Sequence, residues 1–194
     1  MSKFRVEETQ NSKVYIHNDL SNAAHFLKES AIKSKEGNGE GLSLIIMGSL
    51  TMYAFSLEAR INFIGSKTIE NWNERKQYIK KLKKILKSCD IPYLPDERPF
   101  TTLNELKKFR DLVAHGKPLE VSESEVKVLD RNEEKEFKLK DKSTHFQLCN
   151  LNFLSMVEED IQILWRDLLK GSGIEPRDTI TTFSGSQHYL GDID

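Results

Sequence analysis

The sequence predicts an all-α fold, a helical bundle of about five helices carrying one small β-hairpin insertion. Three observations predict it. Apolar residues recur at three- and four-residue intervals through five long segments. One of these, GLSLIIMGSLTMYAFSL at 41–57, holds no charged residue over 17 positions. Glycine- or proline-bearing breaks at 37–41, 65–66, 90–99, 116–118 and 171 separate the segments.

In chain order, residues 1–18 alternate only loosely and read as an N-terminal extension, extended or poorly ordered. A first helix is expected over about 19–35, with Leu20, Ala23, Ala24, Leu27, Ala31 and Ile32 on its inner face. GNGEG at 37–41 is a loop. The second helix, about 41–64, is the apolar one. Its charge-free stretch lies at the short edge of the ~17–25 residues that span a bilayer. Ser43, Gly48, Ser49, Thr51 and Ser56 dilute it, and Glu58 and Arg60 follow at once. A helix buried by its neighbours is therefore expected, not a membrane span. Gly65 and Ser66 are expected to stop it.

A third helix, about 69–89, sets Ile69, Trp72, Tyr78, Leu82, Ile85 and Leu86 against a lysine-rich face of Lys76, Lys80, Lys81, Lys83, Lys84 and Lys87. That face reads as solvated, since no aromatic residue interleaves with it for base stacking. Pro92, Pro95 and Pro99 make the next stretch a linker. Thr102 and Glu105 stand in capping-box spacing and mark the start of a fourth helix, which Gly116 and Pro118 end. Two β-like runs, 125–129 and 136–139, predict a hairpin within a 119–145 insertion. The last helix is expected over about 145–170, and 171–194 is a polar C-terminal tail, loosely held.

A length of 194 residues suits one domain with a real core. The net charge of −1 argues against a strongly basic nucleic-acid binder while leaving room for a local basic patch. Cys89 and Cys149 lie far apart in apolar-patterned segments, as buried thiols do. MSKFRVEETQ lacks the apolar run of a secretory leader, so the cytoplasm is the expected location.

The fourth helix holds the most informative stretch, Arg110-Asp111-Leu112-Val113-Ala114-His115. Asp111 and His115, four apart, share a face and can touch. Arg110 and His115, five apart, are roughly 140° apart around an ideal helix, so one subunit aims them poorly at one small target. The residues alone admit two readings. In one, the three side chains form surface ion pairs and His115 caps the helix C-terminus. In the other, Arg110 binds a phosphate while Asp111 orients His115 as an acid–base group.

This stretch, followed by Gly116, resembles the signature of the HEPN superfamily (higher eukaryotes and prokaryotes nucleotide-binding domain). In that family an Arg, an Asn or Asp, three further residues and a His lie late in one bundle helix. The second helix, ending in Phe55-Ser56-Leu57-Glu58, looks like the family's early core helix with its acidic residue. The likeness covers about 20–170 as architecture and six or seven residues as motif. It implies a metal-independent endoribonuclease, or a catalytically silent relative that binds nucleotides or partners.

Under that resemblance, Arg110 and His115 carry the chemistry and Asp111 orients His115; Lys117 is a phosphate candidate by position alone. The resemblance also implies a homodimer that brings two Arg and two His together, RNA as substrate, and an antitoxin or effector partner in a stress, toxin–antitoxin or defence role. No cofactor and no metal is expected. GNGEG follows no strand and leads to no Gly-Lys-Ser/Thr, and Glu-x-x-His, Cys-x-x-Cys and His-Glu-x-x-His are all missing. His188 with Asp192 and Asp194 reads as part of an acidic tail.

Overall fold

The computed structural model of the protein describes residues 3–116 and 147–193. Five α-helices among them, α1 (Ile16–Glu36), α2 (Leu42–Thr68), α3 (Tyr78–Ser88), α4 (Phe100–His115) and α5 (Leu151–Ser172), form a bundle. One two-stranded antiparallel sheet joins β1 (Lys3–Lys13) to β2 (Thr182–Ile193). The helical bundle is thus present, and the fold is all-α only approximately. The hairpin expected within 119–145 lies outside the described residues.

All four other helices pack on α2. Ile46, Leu50, Leu57, Ile61 and Ile64 of α2 are buried against Leu103, Leu106 and Phe109 of α4, Leu82 and Ile85 of α3, and Leu154, Val157 and Ile161 of α5. Alanines at 24 and 31 let α1 come close, and α2 meets it with Gly48 and Ser49, whose hydroxyl donates to the Ala24 carbonyl at 2.7 Å. By length and composition α2 could cross a membrane; here Ile46, Leu50, Leu57, Ile61 and Ile64 face the other helices, while Leu44 and Phe55 are exposed.

Several boundaries differ from the sequence reading, each for a visible reason. α2 runs through Gly65 to Thr68, because Gly65 makes room for the Trp72 ring. α3 starts only at Tyr78. Asn71 takes a left-handed φ of 54°, and the Asn73 side chain accepts from the Arg75 amide at 2.9 Å, a turn that competes with helix. α4 begins at Phe100, and its N-cap, Pro99, makes no side-chain cap bond, so Thr102 is a buried first-turn residue instead of the cap. α5 starts at Leu151, capped by Asn150, whose side chain accepts from the Phe153 amide at 2.9 Å.

The two chain ends, read as a loose extension and a polar tail, pair with each other from Lys3↔Ile193 to Lys13↔Thr182. The register steps from Arg5↔Gly191 to Val6↔Tyr189, leaving Leu190 as the extra residue of a bulge. Two bonds fasten the base of this ribbon to the start of α1. The Tyr15 amide donates to Thr181 Oγ1 at 3.1 Å, and the Asn18 side chain donates to the Thr179 carbonyl at 2.7 Å.

Several polar groups inside the bundle hold its helices together, although Arg60 Nε and Nη1 and His17 Nε2 are buried without a hydrogen-bond partner. Glu158 of α5 accepts from Tyr53 Oη at 2.6 Å and pairs with Lys28 and with His25 Nδ1, tying α1, α2 and α5 together. Arg60 donates to Ser21 Oγ at 3.1 Å and lies over the Trp165 ring. His17, only 2% exposed, packs among Tyr15, Phe63 and Trp165. Burial and, next, the Arg60 charge push its imidazole down to about 4.

Two expectations follow. A group held at a depressed pKa when folded stabilises the protein above its unfolded pKa and loses that contribution on acidification. Unfolding free energy should therefore fall by roughly 3 kcal/mol between pH 6.5 and 4 on account of His17. Urea melts across that window should show the slope, and His17→Phe should flatten it. In Gly65→Ala the new Cβ would meet the Trp72 ring at 2.3 Å, a clash costing about 1–3 kcal/mol, against a helix-propensity gain of about 1 kcal/mol. A lowered urea midpoint is expected.

Candidate functional site

The site grows from the stripe of α4 that lies beside its core face. Leu103, Leu106 and Phe109 are buried, which rotates Lys107, Arg110 and Asp111 toward α2 and the start of α3. On α2 the facing residue is Glu58, the carboxylate that follows the charge-free stretch. On α3 it is Lys81, whose side chain is 1% exposed.

Lys81 Nζ donates to Glu58 Oε1 at 2.8 Å, to Asn62 Oδ1 at 3.0 Å and to the Glu74 carbonyl at 2.9 Å. An ammonium has three N–H donors, so each has an acceptor and the buried charge is fully satisfied. The second Glu58 oxygen accepts from Arg110 Nη2. Arg110 Nη1 donates to Asp111 Oδ1 at 3.0 Å, and the other Asp111 oxygen accepts from Lys107. The result is an alternating line of five charges, Lys81, Glu58, Arg110, Asp111 and Lys107. It begins in the core and ends at the surface.

Burial alone would push the Glu58 carboxyl up, but bonds and charge from Lys81 and Arg110 outweigh it and hold the group below its ordinary range. Asp111 is held low in the same way by Lys107 and Arg110, with a smaller contribution from the charge of His115. Arg110 is 24% exposed and also reaches the Phe55 ring, its guanidinium carbon 6.0 Å from the centroid. These side chains edge an open groove of about 460 Å³, to which Lys76, Gln77 and Tyr78 also contribute. The Tyr78 hydroxyl is buried, has no protein hydrogen-bond partner, and is kept protonated chiefly by burial.

The expected site residues are therefore divided. Arg110 and Asp111 join one network. His115 is the last residue of α4, exposed, and no hydrogen bond links it to Asp111, both of whose oxygens are taken by cations. Gly116, at φ 49°, closes the helix with its amide on the Leu112 carbonyl at 3.2 Å. Lys117 lies outside the described residues. No group of three His, Cys, Asp or Glu side chains able to hold a metal occurs among the described residues.

Sequence reasoning placed Lys81 on a solvated lysine face, and the structure corrects this. Lys81 stands three after buried Tyr78 and four before buried Ile85, an inward position on α3 that its spacing already indicated. Lys107 carried no signal beyond its i,i+4 relation to Asp111. Comparison with protein-family models, with characterised proteins and with solved structures found no match.

Lys81→Met would strand the Asn62 and Glu74 acceptors and remove one partner of Glu58. Breaking a buried pair in this way costs about 3–5 kcal/mol, and the 26% exposure of Glu58 points to the lower end. The exposed neighbour Lys80→Met should stay within about 0.5 kcal/mol of the wild type. Chemical denaturation of the two variants side by side checks the difference.

Proposed function

We propose that this chain is a HEPN-like, metal-independent endoribonuclease that acts as a homodimer. One observation carries the reading. Arg110 is anchored through Glu58 to a fully buried ammonium, while His115, five residues later, stands exposed on another side of the same helix end. A guanidinium fixed in direction at a groove edge is suited to phosphate oxygens, and a solvent-facing imidazole is accessible as a proton donor or acceptor. The likeness of the Phe55–Glu58 segment to the family's acidic core helix adds support, because Glu58 is the residue that grips Arg110.

In this reading the Arg110 fork binds the scissile phosphate and offsets the charge that builds on it during attack by the adjacent 2′-hydroxyl. His115 takes the hydroxyl proton or supplies one to the departing 5′-oxygen. The products are a 2′,3′-cyclic phosphate and a 5′-hydroxyl end. Because Arg110 and His115 point apart on one helix, a second α4 across a two-fold axis completes the pair. Asp111 serves the two cations beside it, so His115 works without it as an orienter unless the dimer rearranges these bonds. A cytoplasmic location, an antitoxin or effector partner and a stress or defence role belong to the same proposal and rest on the family resemblance alone.

A second reading is favoured by a specific observation: Arg110 and Asp111 are already engaged within the chain, Arg110 through both terminal nitrogens and Asp111 through both carboxylate oxygens. A catalytically silent interaction or nucleotide-binding module would need nothing more of them than this structural role.

Purified protein incubated in EDTA with mixed tRNA and structured RNA separates the two. Cleavage with cyclic-phosphate ends is expected for the wild type. Arg110→Ala and His115→Ala should each lower it by about 10²–10⁴-fold, the range for loss of one positioned acid–base or charge-stabilising group. Wild type and variants that are equally inert, or that cut equally, would move the silent module ahead.

A further inference from the structure

A second concentration of cations lies away from α4. The base of the β-ribbon, the last turns of α2 and a short 3₁₀ helix at Pro176–Thr179 enclose a cleft of about 290 Å³. Its walls include Lys13, Lys67 and Arg177, the carboxylate of Asp178, and the rings of Tyr15 and Phe63.

The cations come from three elements remote in sequence, so no local pattern explains why they meet. Lys67 has a reason of its own, since it complements the negative C-terminal pole of α2. Arg177 stands in the last turn of the 3₁₀ helix, and Lys13 ends β1. Among the described residues none of the three makes an ion pair, and none has closed on Asp178 across the cleft. With Asp178 as the one carboxylate among three cations, the lining carries an excess of positive charge, which favours an anion in the cleft.

The walls are also built firmly. Tyr15 packs edge-on against Phe63, with centroids 5.0 Å apart, and Phe63 is itself buried. The bonds from Tyr15 to Thr181 and from Asn18 to Thr179 pin the 3₁₀ segment to α1, so the side carrying Arg177 and Asp178 is fixed relative to the side carrying Tyr15. Few polar groups converging on an aromatic-walled concavity make the usual form of a small-ligand site.

We propose that this cleft binds a small organic phosphate with an aromatic body, a nucleoside monophosphate by class. The phosphate shares Lys13, Lys67 and Arg177, the planar ring lies along the Tyr15 wall, and Asp178 accepts from sugar hydroxyls. The site is independent of the α4 groove and of the activity proposed there.

The probe is AMP, with adenosine and inorganic phosphate as its two halves, followed by amide chemical shifts of the full chain. Saturable AMP-dependent shifts at Tyr15, Lys67 and Arg177, unchanged in Arg110→Ala, are expected. Lys67→Glu combined with Arg177→Glu should weaken binding by about tenfold or more. Both residues are exposed, and a matching thermal melt confirms that the double variant is folded. Tyr15→Ser gives a second test, with AMP affinity falling toward that of inorganic phosphate. Competition by a 5′-phosphorylated but not a 5′-hydroxyl oligonucleotide would identify an RNA end as the source of the same chemistry. Absence of saturable shifts, shifts confined to α4 and lost in Arg110→Ala, or inorganic phosphate binding as well as AMP would each overturn the proposal.

Discussion

A helix that is apolar almost all the way round has to be enclosed, and any polar group it carries must find its partner on whatever encloses it. α2 imposes that constraint on the rest of this protein. Its length of 27 residues gives a rod of roughly 40 Å, long enough for α1, α3, α4 and α5 to be laid against it at different levels. Its polar exceptions then decide how the neighbours are set. Ser49 and Ser56 bond backbone carbonyls of α1, Tyr53 reaches Glu158 of α5, Arg60 reaches Ser21 and lies over Trp165, and Glu58 and Asn62 receive Lys81 of α3.

The Lys81–Glu58–Arg110 line shows how such a constraint becomes a site. An unpaired lysine with this little exposure would be prohibitively costly, so its position forces a carboxylate and two further oxygens to converge on it. Glu58 has a second oxygen to offer, and α4 supplies the guanidinium that takes it. The buried end of the line is fully satisfied and rigid, while the outer end, at Arg110, Asp111 and Lys107, is only partly covered. A rigid root with a solvent-facing tip is the arrangement a binding or catalytic cation requires, because the cost of orienting it has been met during folding.

The ribbon formed by the chain ends follows a different logic. Its residues are mostly exposed, and a two-stranded sheet alone is marginal in water. Its anchorage to the bundle comes at its base, where Tyr15, Asn18, Thr179 and Thr181 connect it to α1. The cation-lined cleft forms at that junction, so its two sides depend on the ends of the chain meeting.

Period and punctuation in the sequence were enough to determine the helical bundle, the inward placing of Ile46, Leu50 and Leu57 and the burial of Cys89 and Cys149. Those properties depend on neighbours three or four residues away. The placing of Arg110, Asp111 and His115 in the last turns of one helix was legible for the same reason. Tertiary structure alone decided what each charge faces. Lys81 and Lys80 are adjacent lysines on one helix, yet the first is buried against Glu58 while the second faces solvent, because α2 and the turn before α3 come together over only one of them. The strand pairing of residues 3–13 with 182–193 was likewise invisible, since each half is too polar and too weakly alternating to announce a strand. Pairing energy exists only once some 170 intervening residues have brought the two ends together.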